Sequence, residues 1–172
     1  MLRKPLPSDI PSFQQKYIEN TPVDILSFLA AQLTSFPEFI NGLTEAQLNY
    51  RYAPEKWTLR EVLMHIIDTE QIFNYRALAI LRGDKATLPG FDQDEYIAFT
   101  SFDHYSKQDM VELFQSVRRY AITFFNNTHN DEWDLIGNIS DYTMPLHAFP
   151  YMIGGHLAYH MEIIKERYLV EK

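Results

Sequence analysis

Cysteine does not occur in this chain of 172 residues. Disulfide scaffolds, cysteine-based zinc fingers, iron–sulfur clusters and a cysteine nucleophile are therefore excluded. A surplus of positive charge is also lacking, since 15 lysines and arginines stand against 23 aspartates and glutamates, which gives a net charge of −8. This acidity argues against sequence-independent nucleic-acid binding, which depends on cations that neutralise phosphates. We therefore expect no nucleic-acid partner.

Long apolar runs are missing as well. No run reaches the ~18 residues that a membrane-spanning helix needs, and the N-terminal stretch carries three early prolines without the apolar core of a signal peptide. We therefore expect no membrane span and no secretory leader, and we predict a cytoplasmic location. With 46% hydrophobic and 22% charged residues, the composition is that of a globular protein. The length suits a single domain over residues 1–172.

Four segments place apolar residues at the 3.6-residue period of an amphipathic helix. They span residues 22–36, 59–81, 107–126 and 146–169. Thr21, Thr58 and Ser106 are the predicted N-caps of the first three. Pro150 lies inside the fourth, so that helix either starts near the proline or kinks there. No segment alternates with the period of a β-strand, and we predict an all-α four-helix bundle. Its connections of about twenty residues are long enough to suggest functional or partly ordered loops.

Two histidines lie four residues apart in the fourth helical segment. His156 and His160 both fall on its apolar arc, and this spacing stacks two side chains on the same face of a helix. Each buried neutral imidazole needs a partner, because an unpaired buried polar group costs about 1–3 kcal/mol. A shared metal ion would satisfy both rings. The alternative is a pair of core histidines bonded to carboxylates or carbonyls.

His65 is the third candidate ligand. It lies at the edge of the apolar arc of the second segment, where it would face a neighbouring helix, and bundles build metal sites from side chains on facing helices. Three imidazoles without cysteine suit zinc, nickel, copper or iron rather than calcium or magnesium. The other three histidines have no partner at ligand spacing, and we expect them to be exposed: His104, His129 and His147.

Three stretches of the sequence resemble a known family. Residues 52–70 (YAPEKWTLREVLMHIIDTE), residues 75–92 and residues 155–169 resemble the DinB-like superfamily, in the branch that contains the YfiT-type metal hydrolases and the bacillithiol transferases. The resemblance covers nearly the whole chain beyond about residue 12. It implies a four-helix bundle that holds one divalent metal ion on three histidines, with nickel or zinc as the first candidates and iron or manganese as alternatives. Those family positions fall on His65, His156 and His160.

Asp68 and Arg167 are the candidate catalytic residues beside the metal ligands. Asp68 lies one turn beyond the first histidine, where it either orients an imidazole or acts as a general base. The alternative is a solvated carboxylate on a helix surface. Arg167 continues the line of the two later histidines, where it either meets an anionic substrate group or caps the end of the helix.

Glu70 is unusual because it falls near the centre of an apolar arc. We predict that it is buried and paired with Arg118 in a structural role. Gly154 and Gly155 inside a helix indicate either a close backbone approach or an open space beside the metal. The loop at residues 88–92 is either a lid or a structural turn.

Three functions remain open at the level of sequence. Three protein ligands leave a coordination position free, as in catalytic metal sites. A bound thiol would react as its thiolate, which makes transfer of a small-molecule thiol to an electrophile the first hypothesis. A bound water with its pKa lowered toward ~7 would make the protein a hydrolase. The third hypothesis is metal or ligand binding without turnover. The expected partner is a small molecule, and a homodimer is the assembly to test.

Overall fold

Four long helices form the framework of the fold, and shorter elements occupy the connections between them. The computed structural model describes residues 2–169. Two short 3₁₀ turns, Pro7–Asp9 and Ser12–Gln14, precede the first α-helix. In chain order the elements are then α1 (Gln15–Ile18), α2 (Ile25–Gly42), α3 (Glu45–Leu48), α4 (Leu59–Leu81), α5 (Gln93–Phe99), α6 (Lys107–Asn126), β1 (Ile136–Ile139), β2 (Tyr142–Pro145) and α7 (Ala148–Arg167). The predicted helical class is confirmed.

Side chains cap the long helices where the sequence supplies them. Thr58 accepts a hydrogen bond from the Glu61 backbone N–H, and the Glu61 carboxylate accepts one from Thr58 in return. Ser106 forms the same reciprocal cap at the start of α6. The prediction for α2 was wrong, because Asp24 rather than Thr21 supplies the capping oxygen. Thr21 is buried instead, and its hydroxyl donates to the Ile18 carbonyl at 2.8 Å.

Two prolines lie inside long helices with different consequences. Pro37 does not end α2, which continues to Gly42 and buries Phe36 and Ile40. Burial of these apolar side chains offsets the loss of one backbone hydrogen bond at the proline. Pro150 lies in the first turn of α7, where backbone N–H groups have no partner within the helix. The helix therefore starts near Pro150, which confirms the first of the two predicted alternatives.

A buried ion pair joins three of the long helices. Arg118 on α6 donates to both carboxylate oxygens of Glu70 on α4, at 2.7 and 2.9 Å. The same guanidinium donates to the Gln32 side chain and to the Leu29 carbonyl on α2, at 2.6 and 3.2 Å. Arg118 is fully buried and Glu70 is 3% exposed, so the predicted structural pair is confirmed.

A short β-hairpin is an element that the sequence pattern did not predict. β1 and β2 pair antiparallel, with Gly137 opposite Met144. A Cβ atom at Gly137 would lie 2.3 Å from an Ile80 side-chain carbon, so the glycine lets the hairpin pack directly on α4. Ser140 takes a positive φ of 50° in the turn. The hairpin, α3 and α5 give the long connections the partial order that their length suggested.

The N-terminal segment packs across α7. A Cβ atom at Gly155 would lie 1.7 Å from the Tyr17 carbonyl oxygen, which means that the backbone of α1 touches the backbone of α7 there. A Cβ atom at Gly154 would meet side-chain carbons of α2, including one of Leu29 at 3.1 Å. The glycine pair therefore allows close packing, and the alternative of an open space beside the metal is wrong. Among the described residues, no helix combines the length and apolarity that a membrane crossing requires.

Candidate metal centre

Three histidines from two helices converge at one point in the bundle. His65 lies in the second turn of α4, and His156 and His160 lie on successive turns of α7. One nitrogen of each imidazole lies within 4.8 Å of the other two. The Nε2 atoms of His65 and His156 are only 3.1 Å apart. The i, i+4 spacing on α7 and the contact between α4 and α7 together create this cluster.

Burial keeps the three imidazoles neutral. His65 and His156 are 2% and 4% exposed, and His160 is half-buried. Burial lowers the pKa of His65 to about 4 and, together with the neighbouring His65, lowers the pKa of His160 to about 3. For His156, burial and the two other histidines hold the pKa well below its ordinary value. Near neutral pH each ring therefore offers a nitrogen lone pair.

The donor set fits a divalent transition-metal ion. All three ligand atoms are imidazole nitrogens, which suit zinc, nickel, copper and iron, and no carboxylate joins the cluster in the described part of the chain. Thr69, one turn after His65, places its hydroxyl 3.3 Å from His65 Nδ1. This contact fixes the ring so that Nε2 faces the other two histidines, which is how hydrogen-bonded neighbours orient metal ligands. Three polar rings buried together without a carboxylate are most simply explained by a shared cation.

Aromatic rings enclose the cluster. Trp57 lies with its ring centre 5.0 Å from that of His65, and Phe91 is stacked parallel to His65 at 6.4 Å. Tyr17 of α1 meets His156 edge to face at 5.0 Å. Phe91 comes from the loop at residues 88–92, which therefore borders His65. These rings supply apolar walls around part of the cluster.

Two separate cavities reach the cluster. The larger, about 440 Å³, is lined by His65 and His156 together with the N-terminal segment and the hairpin turn. The smaller, about 220 Å³, is lined by His160, Trp57 and Arg167. The start of α5 borders both cavities, since Gln93 lines the larger and Asp94 lines the smaller. The histidine cluster is therefore bordered by two cavities, one beside His65 and His156 and the other beside His160.

Comparisons with known proteins agree with the helical fold. The sequence pattern of the DinB superfamily matches residues 29–164. The chain belongs to the DinB superfamily. The solved structure of YfiT from Bacillus subtilis is similar, with a TM-score of 0.73 and 18% identity over 95% of this chain and 90% of that one. YfiT is described as a probable metal-dependent hydrolase with an unusual four-helix bundle topology, and at this identity the likeness establishes the fold. No curated protein matches the sequence.

In this DinB-superfamily protein, the structure places the two predicted catalytic residues outside the histidine cluster. Asp68 is half-buried on α4, and burial raises the pKa of its carboxyl group. It makes no hydrogen bond to the three imidazoles, and Thr69 occupies the orienting position instead. Arg167 is exposed, donates a hydrogen bond to the Tyr52 hydroxyl at 3.3 Å and lines the smaller cavity with His160.

One of the three histidines that were predicted to be exposed is buried. His147 is 1% exposed, and its ring nitrogens lie 3.2 Å from the Trp133 carbonyl oxygen and 3.4 Å from an Asp9 carboxylate oxygen. The expectation of exposure was wrong for this residue because the N-terminal segment covers it. His104 and His129 are exposed as predicted.

Sequence reasoning also missed residues that line the larger cavity. Thr69 could have been found, since it lies four residues after His65 and therefore on the same face of α4. Arg76 lies two turns further along α4, and Gln14 comes from a 3₁₀ turn that has no periodic signal. Nothing in the local pattern indicates that these two side chains are buried or that they share a cavity.

Proposed function

We propose that this DinB-superfamily protein is a divalent-metal enzyme that transfers a small-molecule thiol to an electrophilic substrate. The observation that supports this best is the pair of cavities, one lined by His65 and His156 and the other by His160. A transferase must bring two organic molecules to one centre, whereas a hydrolase needs one organic molecule and water. Two cavities at one cluster therefore favour transfer over hydrolysis.

In this proposal His65, His156 and His160 hold the ion, with nickel or zinc as the proposed metals and iron or manganese as alternatives. A divalent ion bound there would favour the thiolate over the thiol near neutral pH and so supply the reactive form of sulfur. The chain contributes neutral imidazoles, because burial prevents their protonation at that pH. It also contributes aromatic walls, because Trp57, Phe91 and Tyr17 lie beside the histidines.

The proposed reaction balances without an added oxidant or reductant. The thiolate sulfur forms a bond to the electrophilic carbon, and the bond from that carbon to chlorine or to an epoxide oxygen breaks. The leaving atom departs with the bonding electron pair, and the proton of the thiol passes to solvent or to a base. Arg167 is proposed to receive an anionic group in the smaller cavity that it lines.

Asp68 is proposed as the general base. Burial raises the pKa of its carboxyl group, so its carboxylate accepts a proton more readily than an exposed aspartate does. Asp68 does not contact the imidazoles and is not among the residues that line either cavity, so this role requires water molecules that carry the proton between the carboxylate and the reacting group. The Asp68→Asn variant tests the assignment, since a base is lost while the shape is kept.

A metal-dependent hydrolase is the second candidate function. It is favoured by the likeness in fold to YfiT, which is described as a probable metal-dependent hydrolase. In that case one cavity would hold the hydrolysed molecule and a water molecule would replace the thiol as nucleophile. A homodimeric assembly and a cytoplasmic location remain predictions of the sequence.

One set of measurements separates the candidates. Protein purified without added metal is first analysed for bound metal, and then assayed with a small thiol and a chlorinated or epoxide electrophile. We expect about one divalent ion per chain and turnover that requires the thiol. Cleavage of an ester or amide without thiol would instead indicate a hydrolase, and bound metal without either activity would indicate a binding protein.

The histidine variants supply the matched control. His156→Ala should lose both the metal and the activity, whereas His129→Ala should keep both, because His129 is an exposed histidine outside the cluster. Retention of metal in His156→Ala would contradict the proposal.

A further inference from the structure

Among residues 2–169, one buried arginine has no carboxylate partner. Arg118 and Arg60, which are also buried, pair with Glu70 and Glu45 at 2.7 and 2.6 Å. Arg76 is 5% exposed, yet no carboxylate oxygen of residues 2–169 lies within 4.0 Å of it. Its hydrogen bond within this part of the chain runs from Nη2 to the Pro89 carbonyl oxygen at 2.8 Å. An unpaired buried charge is costly, so this guanidinium calls for an anion.

Arg76 lines the larger cavity, which also reaches His65 and His156. The charged residues on the same walls are Lys16 and Asp141, so the three charges sum to a surplus of one positive charge. Arginine keeps its proton throughout the physiological range and presents a planar fork that matches a carboxylate. The chain's own charges therefore favour an anionic ligand in this cavity, and a divalent ion on the histidines would add to that preference.

A second polar group in this cavity lacks a partner. Gln14 is 7% exposed, and its Oε1 atom has no hydrogen-bond donor among residues 2–169. Gln14, Arg76 and Tyr142 all line this cavity. The pKa of the Tyr142 hydroxyl is raised by burial and held back by the positive charge of Arg76. An unsatisfied buried acceptor and an unpaired buried cation in one cavity favour a ligand that carries a donor as well as an anionic group.

We propose that the larger cavity binds a small-molecule carboxylate that carries an N–H or O–H donor close to the carboxylate. The carboxylate pairs with Arg76, and the donor bonds to Gln14 Oε1. The proposal rests on the proposed function in one respect, since it identifies this ligand as one of the two organic molecules that are presented to the histidine cluster. Aromatic rings of Phe13, Phe73 and Tyr142 line the same walls and favour a ligand with an apolar or aromatic portion.

The binding experiment uses N-benzoylglycine as the probe and N-benzoylglycinamide as its uncharged analogue of nearly equal shape. Isothermal titration calorimetry measures both on the protein as purified and on protein stripped of metal by a chelator. We expect N-benzoylglycine to bind about tenfold more tightly than the amide in both preparations, since a hydrogen-bonded charge pair is worth about that factor. Equal affinities, or no measurable binding of N-benzoylglycine, would overturn the proposal. A preference that disappears with the metal would overturn it too, because the carboxylate would then bind the ion.

Variants locate the carboxylate on Arg76. Arg76→Gln should abolish the preference for the charged probe while leaving affinity for the amide within about twofold, and Arg76→Lys should keep part of the preference. Arg119→Gln is the matched control, because Arg119 is an exposed arginine on α6. Circular dichroism checks that the variants fold. If Arg76→Gln does not fold, Arg76→Lys and the wild-type comparison still decide the question. A full preference in a folded Arg76→Gln would overturn the proposal.

A third probe tests the contact with Gln14. In O-benzoylglycolate an oxygen replaces the N–H group, so a lone pair faces Gln14 Oε1 instead of a donor. Wild-type protein should bind it several-fold more weakly than N-benzoylglycine, and Gln14→Leu should not distinguish the two. Equal binding by the wild type would overturn the donor part of the proposal. A protein that shows these preferences but holds no metal would refute the proposed function and leave the carboxylate site intact.

Discussion

Replacing Gly155 with alanine tests the contact between α1 and α7. The new Cβ atom would lie 1.7 Å from the Tyr17 carbonyl oxygen, whereas ordinary contacts begin near 3.4 Å. The separation must therefore grow by about 1.7 Å, which is 3.4 − 1.7. The obstructing atom belongs to the backbone, so a side-chain rotation does not relieve the clash. The α1 segment has to move away from α7.

The expected loss of stability combines two opposing effects. Overpacking typically costs about 1–3 kcal/mol, and a backbone obstacle places Gly155→Ala at the upper end of that range. Alanine in the middle of a helix is about 1 kcal/mol more favourable than glycine. The free energy of unfolding should therefore fall by about 2 kcal/mol. Full detachment of the segment would cost more, because Ile10 and Ile18 would each lose about 1.5–3 kcal/mol of burial.

Urea denaturation followed by circular dichroism measures this loss, and Gly154→Ala is its control. The Cβ atom of Gly154→Ala meets side-chain carbons at 3.1–3.2 Å, which need to shift only slightly. Its cost should be offset by the helix propensity of alanine, so its stability should stay within about 1 kcal/mol of the wild type. Gly155→Ala should also weaken binding of N-benzoylglycine, since Tyr17 lines the larger cavity. A Gly155→Ala protein as stable as the wild type would refute the close contact.

Three further predictions concern the buried polar groups. Arg118→Met should reduce the free energy of unfolding by about 3–5 kcal/mol, because it leaves the Glu70 carboxylate buried and unpaired. Urea denaturation measures this loss. A double variant that also carries Glu70→Leu should recover part of it. Metal-free protein should lose stability as the pH falls from 6.5 toward about 4. The pKa values of His65 and His160 in the folded protein, about 4 and about 3, lie below the ordinary value of 6.5. The unfolded chain therefore binds more protons than the folded protein in that pH window. Thermal melts across this range check the sign, and constant stability would contradict it. Stripping the metal with a chelator should abolish turnover, and added zinc or nickel should restore it in the wild type but not in His156→Ala.

The parts of the fold that follow from local signals could be predicted from the sequence. Capping residues and a 3.6-residue apolar period identify α4 and α6, because each of these signals is formed by residues that are close together in the sequence. The same periodicity brings His156 and His160 to one face and makes Glu70 conspicuous on an apolar arc. His65 could be predicted as the third ligand, because an imidazole at the edge of a helix's apolar arc faces a neighbouring helix of the bundle.

The remaining parts depend on contacts between distant segments. β1 and β2 have four residues each, too few to establish a period of two, and the hairpin is held by packing of Gly137 on Ile80. α1 also has four residues and forms where Gly155 admits its backbone. Arg76 and Gln14 look like ordinary surface residues until these two segments close over them. Only tertiary structure could show that the glycine pair marks a close approach.

The walls of the larger cavity have a different origin from its histidines. His65 and His156 belong to long helices of the bundle, whereas residues 13–17 and the hairpin turn at residues 140–142 supply much of the surrounding surface. In the proposed function, Arg76 on α4 would recognise charge, whereas these short segments would shape much of the remaining wall. Substitutions in residues 13–17 and 140–142 would therefore alter the shape of the cavity while leaving the histidines and Arg76 on the long helices in place.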